Sequence, residues 1–113
     1  KNIITVFHPH TYTRTKALFK DFISSFDAIN ELIVLDIYAS AREKQGGVSS
    51  FQLVMAIKKY NKRQQITQNV QYIPKIVGVA KYLKKHLKKD DLLVLMGAGD
   101  VFRVGELLLK KQK

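Results

Sequence analysis

With 113 residues, 46% of them hydrophobic, the chain is long enough to bury a core and too apolar for intrinsic disorder. It has no cysteine, which excludes disulfides, thiolate zinc sites, iron–sulfur clusters and a cysteine nucleophile. The net charge of +11 is uneven: residues 1–43 carry five basic and five acidic groups, and residues 44–113 carry fifteen basic and four acidic.

Asn2-Ile3-Ile4-Thr5-Val6-Phe7 is a β-branched apolar run that predicts a buried strand. Pro9 disfavours helix at His8, so residues 8–13 read as a loop. A helix is predicted from Arg14 to Asp27, with Leu18, Phe19, Phe22, Ile23 and Phe26 on one stripe and Thr11 or Thr13 as its cap. Residues 32–37 form a second apolar run, of the kind covered on both faces in a parallel sheet. A loop spans Tyr38 to Val48. Ser49 or Ser50 then caps a helix carrying Leu53, Val54, Ile57 and Tyr60, and the polar residues 61–68 read as a connection. Residues 70–73 are a short third strand. Pro74 suits the first turn of a helix that places Ile76, Ala80, Leu83 and Leu87 inward and Lys81, Lys84, Lys85 and Lys88 outward. Residues 91–96 are a fourth strand, and a Gly97–Asp100 turn leads into a last helix with Val101, Val104, Leu107 and Leu108 apolar.

Strand and helix alternate four times, which predicts an α/β fold with a mostly parallel, doubly wound sheet and helices on both faces. Ligands of such sheets sit at the carboxyl ends of the strands. Three segments rich in polar chemistry fall there: His8–Arg14, Tyr38–Gly47 and Gly97–Asp100. No internal repeat or domain boundary is visible. No apolar run approaches the ~18 residues of a membrane span, and no secretory signal is present, so a soluble intracellular domain is expected. Because residue 1 is Lys and a strand follows at once, the chain is expected to start inside a longer protein.

The spacing of His8 and His10 lies outside the usual zinc-ligand spacings, and no third ligand is evident, so the pair reads as loop histidines. Arg14 at a helix start opposes the helix dipole; either it is merely solvated or it serves an anion there. Gly97-Ala98-Gly99 has Phe102 where the dinucleotide fingerprint needs a further glycine, so it reads as a tight strand-to-helix turn, with Asp100 as the helix cap. No P-loop, Ser–His–Asp set or paired-carboxylate site is readable. The Lys58-Lys59, Lys84-Lys85 and Lys88-Lys89 pairs lack interleaved aromatics, which favours a solvated face over a nucleic-acid platform.

The three loops together resemble the UDP-N-acetylmuramate–L-alanine ligases of the Mur ligase family. Val6 to Thr15 is similar to the family's F-Q-P-H-x-(Y/F)-(S/T)-R-T segment, Asp36 to Glu43 to its (D/E)-I-(Y/F)-(A/G)-S-x-R-E segment, and Leu93 to Asp100 to its L-x-x-M-G-A-G-D segment. Order and spacing fit as well. The resemblance implies that residues 1–113 are part of the third, C-terminal domain of a three-domain ligase of peptidoglycan biosynthesis. That domain is Rossmann-like and lies on the amino-acid side of the site; here its first strand and helix would be missing, with the D-D-Y-x-H-H-P segment that contributes to ATP binding.

The implied reaction uses ATP and magnesium, bound mainly outside this chain, to turn the muramate carboxyl into an acyl phosphate that the amine of L-alanine attacks. Matched residue by residue, the implied substrate-binding positions are His10, Tyr12 and Arg14 in the first loop, Tyr38, Ala39 and Arg42 in the second, and Gly97, Ala98, Gly99 and Asp100 in the third. The resemblance implies neither a catalytic residue nor a metal ligand within the chain. Thr11 stands where the family often has a second Arg, and His8 where it has Gln. The implied partners are L-alanine, UDP-N-acetylmuramate and the central and N-terminal domains, with no nucleic acid or membrane, in the cytoplasm. Two other readings compete: the related ligase that attaches a recycled tripeptide to the same sugar, and a non-catalytic basic α/β module binding a polyanion.

Overall fold

The computed structural model describes residues 2–39, 47–97 and 99–109. Four strands form one parallel sheet: β1 (Ile3–His8), β2 (Glu31–Val34), β3 (Asn69–Tyr72) and β4 (Leu92–Gly97), in the order β3-β2-β1-β4. This is the Rossmann-like α/β arrangement the alternation predicts. Two steps from β1 move outward through β2 to β3, and the third crosses back to place β4 on the other side of β1. The reversal falls between β1 and β4, whose last paired residues are His8 and Gly97.

The period of two sorts the strand side chains between two cores. Ile4, Val6, Ile33 and Leu35 meet Val79, Leu83 and Val104 from α4 (Ile76–His86) and α5 (Arg103–Leu109). On the other face Phe7, Leu32, Val34 and Val70 meet Phe26, Leu53, Val54 and Ile57, the last three from α3 (Ser50–Gln64). β4 lies at one edge, with Leu92 and Met96 exposed. No helix among the described residues is long and apolar enough to cross a membrane.

Several elements differ from their sequence reading. The single helix expected from Arg14 to Asp27 is two: α1 (Tyr12–Ala17) and α2 (Phe19–Ser25), joined at Leu18 with φ −102° and ψ 11°. The break leaves α1 tied to its capping loop while α2 lays Phe22 edge-on to Phe7, with ring centres 5.0 Å apart. Ser49 caps α3 as expected, by accepting from the Gln52 amide. Yet α3 continues through the supposed connection to Gln64, with Lys62 and Arg63 favourable to the dipole in its last turn. Polar residues there serve the interior: buried Asn61 donates to the Gln68 amide oxygen, and Gln68 donates to the carbonyls of Phe26 and Ile29. Pro74 precedes α4 instead of opening it, because Lys75 occupies the cap position. Lys81, Lys84 and Lys85 lie exposed on α4 as expected, whereas Leu87 and Lys88 follow its end. α5 begins at Arg103, after Val101, so Asp100 does not cap it.

Candidate functional site

The carboxyl ends of β1, β2 and β4 bring the first and third polar loops together with the described start of the second. Beyond their paired strands, the first two loops remain stitched. Tyr38 donates its amide to the Pro9 carbonyl at 2.8 Å and accepts the Thr11 amide at 2.7 Å, and His10 bridges to Tyr38. Thr11 caps α1 through a hydrogen bond from the Arg14 amide to its hydroxyl at 3.1 Å. It does so with φ 62° and ψ 145°, a region that a β-branched residue enters only under constraint. Buried Thr15 holds it there by donating its hydroxyl to the Thr11 carbonyl at 2.7 Å.

The exposed ring of Tyr38 is where the loops meet. The His10 imidazole stacks on it with centres 5.7 Å apart and planes 27° apart, and His8 approaches it edge-on at 5.4 Å. Gly99, from the third loop, lies against the same ring: at its φ of 76° a Cβ would fall 2.9 Å from the ring carbons. Gly97, with φ 127°, lies so close to His8 that a Cβ would collide with the His8 carbonyl oxygen. The space these two glycines leave is thus filled from within the protein. That supplies a packing reason for glycine at both positions.

Beneath the rim, His8 is buried, and its Nδ1 has no hydrogen-bond partner among the described residues. Asp100 Oδ1 lies 4.0 Å from that nitrogen, and Asp100 Oδ2 lies 3.7 Å from Arg103. Instead of capping α5, the Asp100 carboxylate is therefore placed between an imidazole and a guanidinium. Burial holds the His8 pKa below its ordinary value; Asp100 pulls it back up, His10 pushes it lower, and Asp36 raises it. Asp36 accepts a hydrogen bond from the Tyr72 hydroxyl, and this bond, more than burial, pushes the Tyr72 pKa up to about 12.

His10, Tyr38 and Gly99 form one cluster, which Asp100 joins through His8. Ala39 lines a cleft of about 430 Å³ with His8, Asp36 and Tyr38, and Tyr12 lines another of about 390 Å³ with Asp36, Ser49 and Tyr72. Arg14 stands exposed in α1, and its guanidinium pairs with no described residue. Arg42 and Ala98 lie outside the described residues. A larger cleft, about 660 Å³, lies between α1, α2 and the start of α3 and holds none of the candidate residues. Sequence reasoning gave little weight to His8 and singled out none of Asp36, Tyr72, Lys75 and Arg103. The available signal was a carboxylate inside an apolar strand run, which points to Asp36 alone.

Among the described residues no group of three His, Asp or Glu side chains is placed to hold a metal ion. The rim can stack, hydrogen-bond and hold charge, with Arg14, unpaired among the described residues, suited to a carboxylate.

No family model matches the chain. Curated relatives do. A UDP-N-acetylmuramate–L-alanine ligase of Caldanaerobacter subterraneus is 43% identical over 113 residues, covering 100% of this chain and 23% of that protein. Proteins of the same name from Acetivibrio thermocellus and Clostridium perfringens are 42% and 44% identical over 111 and 108 residues, covering 98% and 96% of this chain and 22% of each relative. The chain thus spans less than a quarter of the length of the relatives it matches.

Proposed function

Because the chain belongs to the family of UDP-N-acetylmuramate–L-alanine ligases, we propose that it is part of the C-terminal, amino-acid-side domain of such an enzyme. The whole protein would join L-alanine to UDP-N-acetylmuramate in the cytoplasm, at an early step of peptidoglycan biosynthesis. The observation that carries this reading is the meeting of the first and third motif segments with Tyr38 of the second at one end of the sheet.

Membership of this family supports the use of ATP and magnesium by the whole protein, and we assign their binding mainly to its other parts. When bound there, ATP supplies the activation of the muramate carboxyl as an acyl phosphate. The residues of this chain position the second substrate. Arg14 holds the alanine carboxylate in its planar fork, while His10 and Tyr38 wall the place where the amine waits. Closure of this domain over the other two would exclude water from that place.

The test is a chimera of the Caldanaerobacter subterraneus relative in which this chain replaces the matched 23% of its length. With ATP, magnesium, UDP-N-acetylmuramate and L-alanine it should form the amide and release phosphate. The 113-residue chain alone should release phosphate only at background. A chimera that folds but forms no amide, or robust turnover by the chain alone, counts against the reading.

A further inference from the structure

Thr15 is wholly buried one residue after an exposed arginine, and its hydroxyl is turned to the backbone. It donates to the Thr11 carbonyl at 2.7 Å, and the Thr15 amide donates to the same oxygen at 3.1 Å. A threonine inside a helix commonly returns its hydroxyl to the carbonyl four residues back. Here that carbonyl lies at the cap, on a residue whose φ of 62° a β-branched side chain adopts only when its surroundings impose it. The hydroxyl is thus one of the bonds that hold the strained cap.

Thr11 in turn joins two of the polar loops. Its amide donates to the Tyr38 carbonyl at 2.7 Å, and its hydroxyl accepts the Arg14 amide at 3.1 Å. Two hydrogen bonds through one residue therefore connect the backbone of Tyr38 with that of Arg14. The Arg14 carbonyl accepts from the Leu18 amide at 3.0 Å, so the arginine backbone is held on both sides. α1 has only six residues, too few to persist as a helix without its cap. At an ordinary negative φ the Thr11 amide and hydroxyl would no longer face Tyr38 and Arg14 together, and the base of the arginine side chain would shift.

We propose that Thr15, acting through Thr11, is a positioning residue for Arg14: it fixes the base of the arginine side chain relative to Tyr38 before the amino-acid substrate arrives. The guanidinium makes no ion pair with a described residue, so its placement depends on the backbone that carries it. Preorganisation of this kind lowers the cost of ordering an arginine at the moment of binding. That the bound group is the carboxylate of alanine rests on the ligase reading; the tie from Thr15 to Arg14 does not.

The test pairs hydrogen exchange with kinetics. In the 113-residue chain, Thr15→Val keeps the shape and removes the hydroxyl. It should speed exchange at the Thr11 and Arg14 amides at least about tenfold relative to the amides of β1, and Thr15→Ser should restore protection. In the chimera, Thr15→Val should lower kcat/KM for alanine at least about fivefold, almost wholly through KM, because a displaced binding group is costly. The KM for UDP-N-acetylmuramate should stay within about twofold. Thr15→Ser should recover the alanine KM, and in an Arg14→Ala background Thr15→Val should have no further effect. Thr11→Ala removes the acceptor of the Arg14 amide, should act in the same direction, and carries the same test if Thr15→Val does not fold. Unchanged exchange at both amides would overturn the proposal. So would an equal loss of alanine kcat/KM with and without Arg14, or a loss that Thr15→Ser does not recover. An inactive wild-type chimera would count against the ligase reading, and the exchange data would then decide the tie alone.

Discussion

Among the described residues, the Arg14 guanidinium is an exposed charge with no ion-pair partner, and the His8 Nδ1 is a buried nitrogen with no hydrogen-bond partner. For Arg14, a charge-assisted bond to a carboxylate contributes on the order of 1.5–3 kcal/mol. In the active chimera, Arg14→Ala should therefore lower kcat/KM for alanine at least about tenfold, and Arg14→Lys should recover only part, because an ammonium lacks the fork. The melting temperature should stay near wild type, since no described residue depends on the guanidinium. Wild-type kinetics in Arg14→Ala would remove the case for a binding role. His8 has a folded pKa below its ordinary 6.5, chiefly through burial. The unfolded chain then takes up a proton as pH falls through 6.5, while the folded chain resists. Stability is full above that value and declines as pH falls toward the lowered folded pKa. Urea midpoints measured between about pH 7 and pH 5 should show this decline in the wild type and a flatter dependence in His8→Gln. Parallel profiles would show that the ring does not resist protonation.

At the scale of elements, strand ends are fixed partners and loops inherit their positions from them. β1, β4 and the Gly97–Asp100 turn form one unit in which Gly97 lies on the His8 backbone and Gly99 on the Tyr38 ring. Gly99→Ala should cost about 1–3 kcal/mol, from a strained positive φ and from crowding against Tyr38. Tyr38→Ala relieves only the crowding, so the double variant should lose less than the sum of the two single losses in denaturant melts. Strict additivity would mean that the ring does not press on the turn. The strands are legible in the sequence because β-branched apolar runs alternate with helical stripes, and the three motif segments because each directly follows such a run. The break at Leu18 is not legible, since the apolar stripe runs straight through it. The length of α3 is hidden for a different reason: Asn61 and Gln68 look like loop residues until tertiary contacts give them carbonyls and amides to bind. The approach of His8 to Asp100 and Arg103 is hidden too, because it depends on the β1–β4 register and not on any local pattern.

For the whole molecule, the excess of positive charge in residues 44–113 is carried largely by lysines on outward faces, such as Lys81, Lys84 and Lys85 of α4. Reversing Lys84 and Lys85 to Glu in the active chimera should leave turnover nearly unchanged, because both lie away from the strand-end rim. A folded variant with greatly reduced activity would instead mark that face as a partner site. The rim itself depends on the sheet as a unit. His10, Tyr38 and Gly99 come from three separate stretches of chain, and they meet on one ring only while β1, β2 and β4 hold their mutual register. An aromatic ring circulates current in a magnetic field and moves the resonances of protons above its face upfield. Tyr38 therefore serves as a built-in gauge: the Gly99 and His10 proton frequencies record, without any added label, whether distant parts of the chain are aligned.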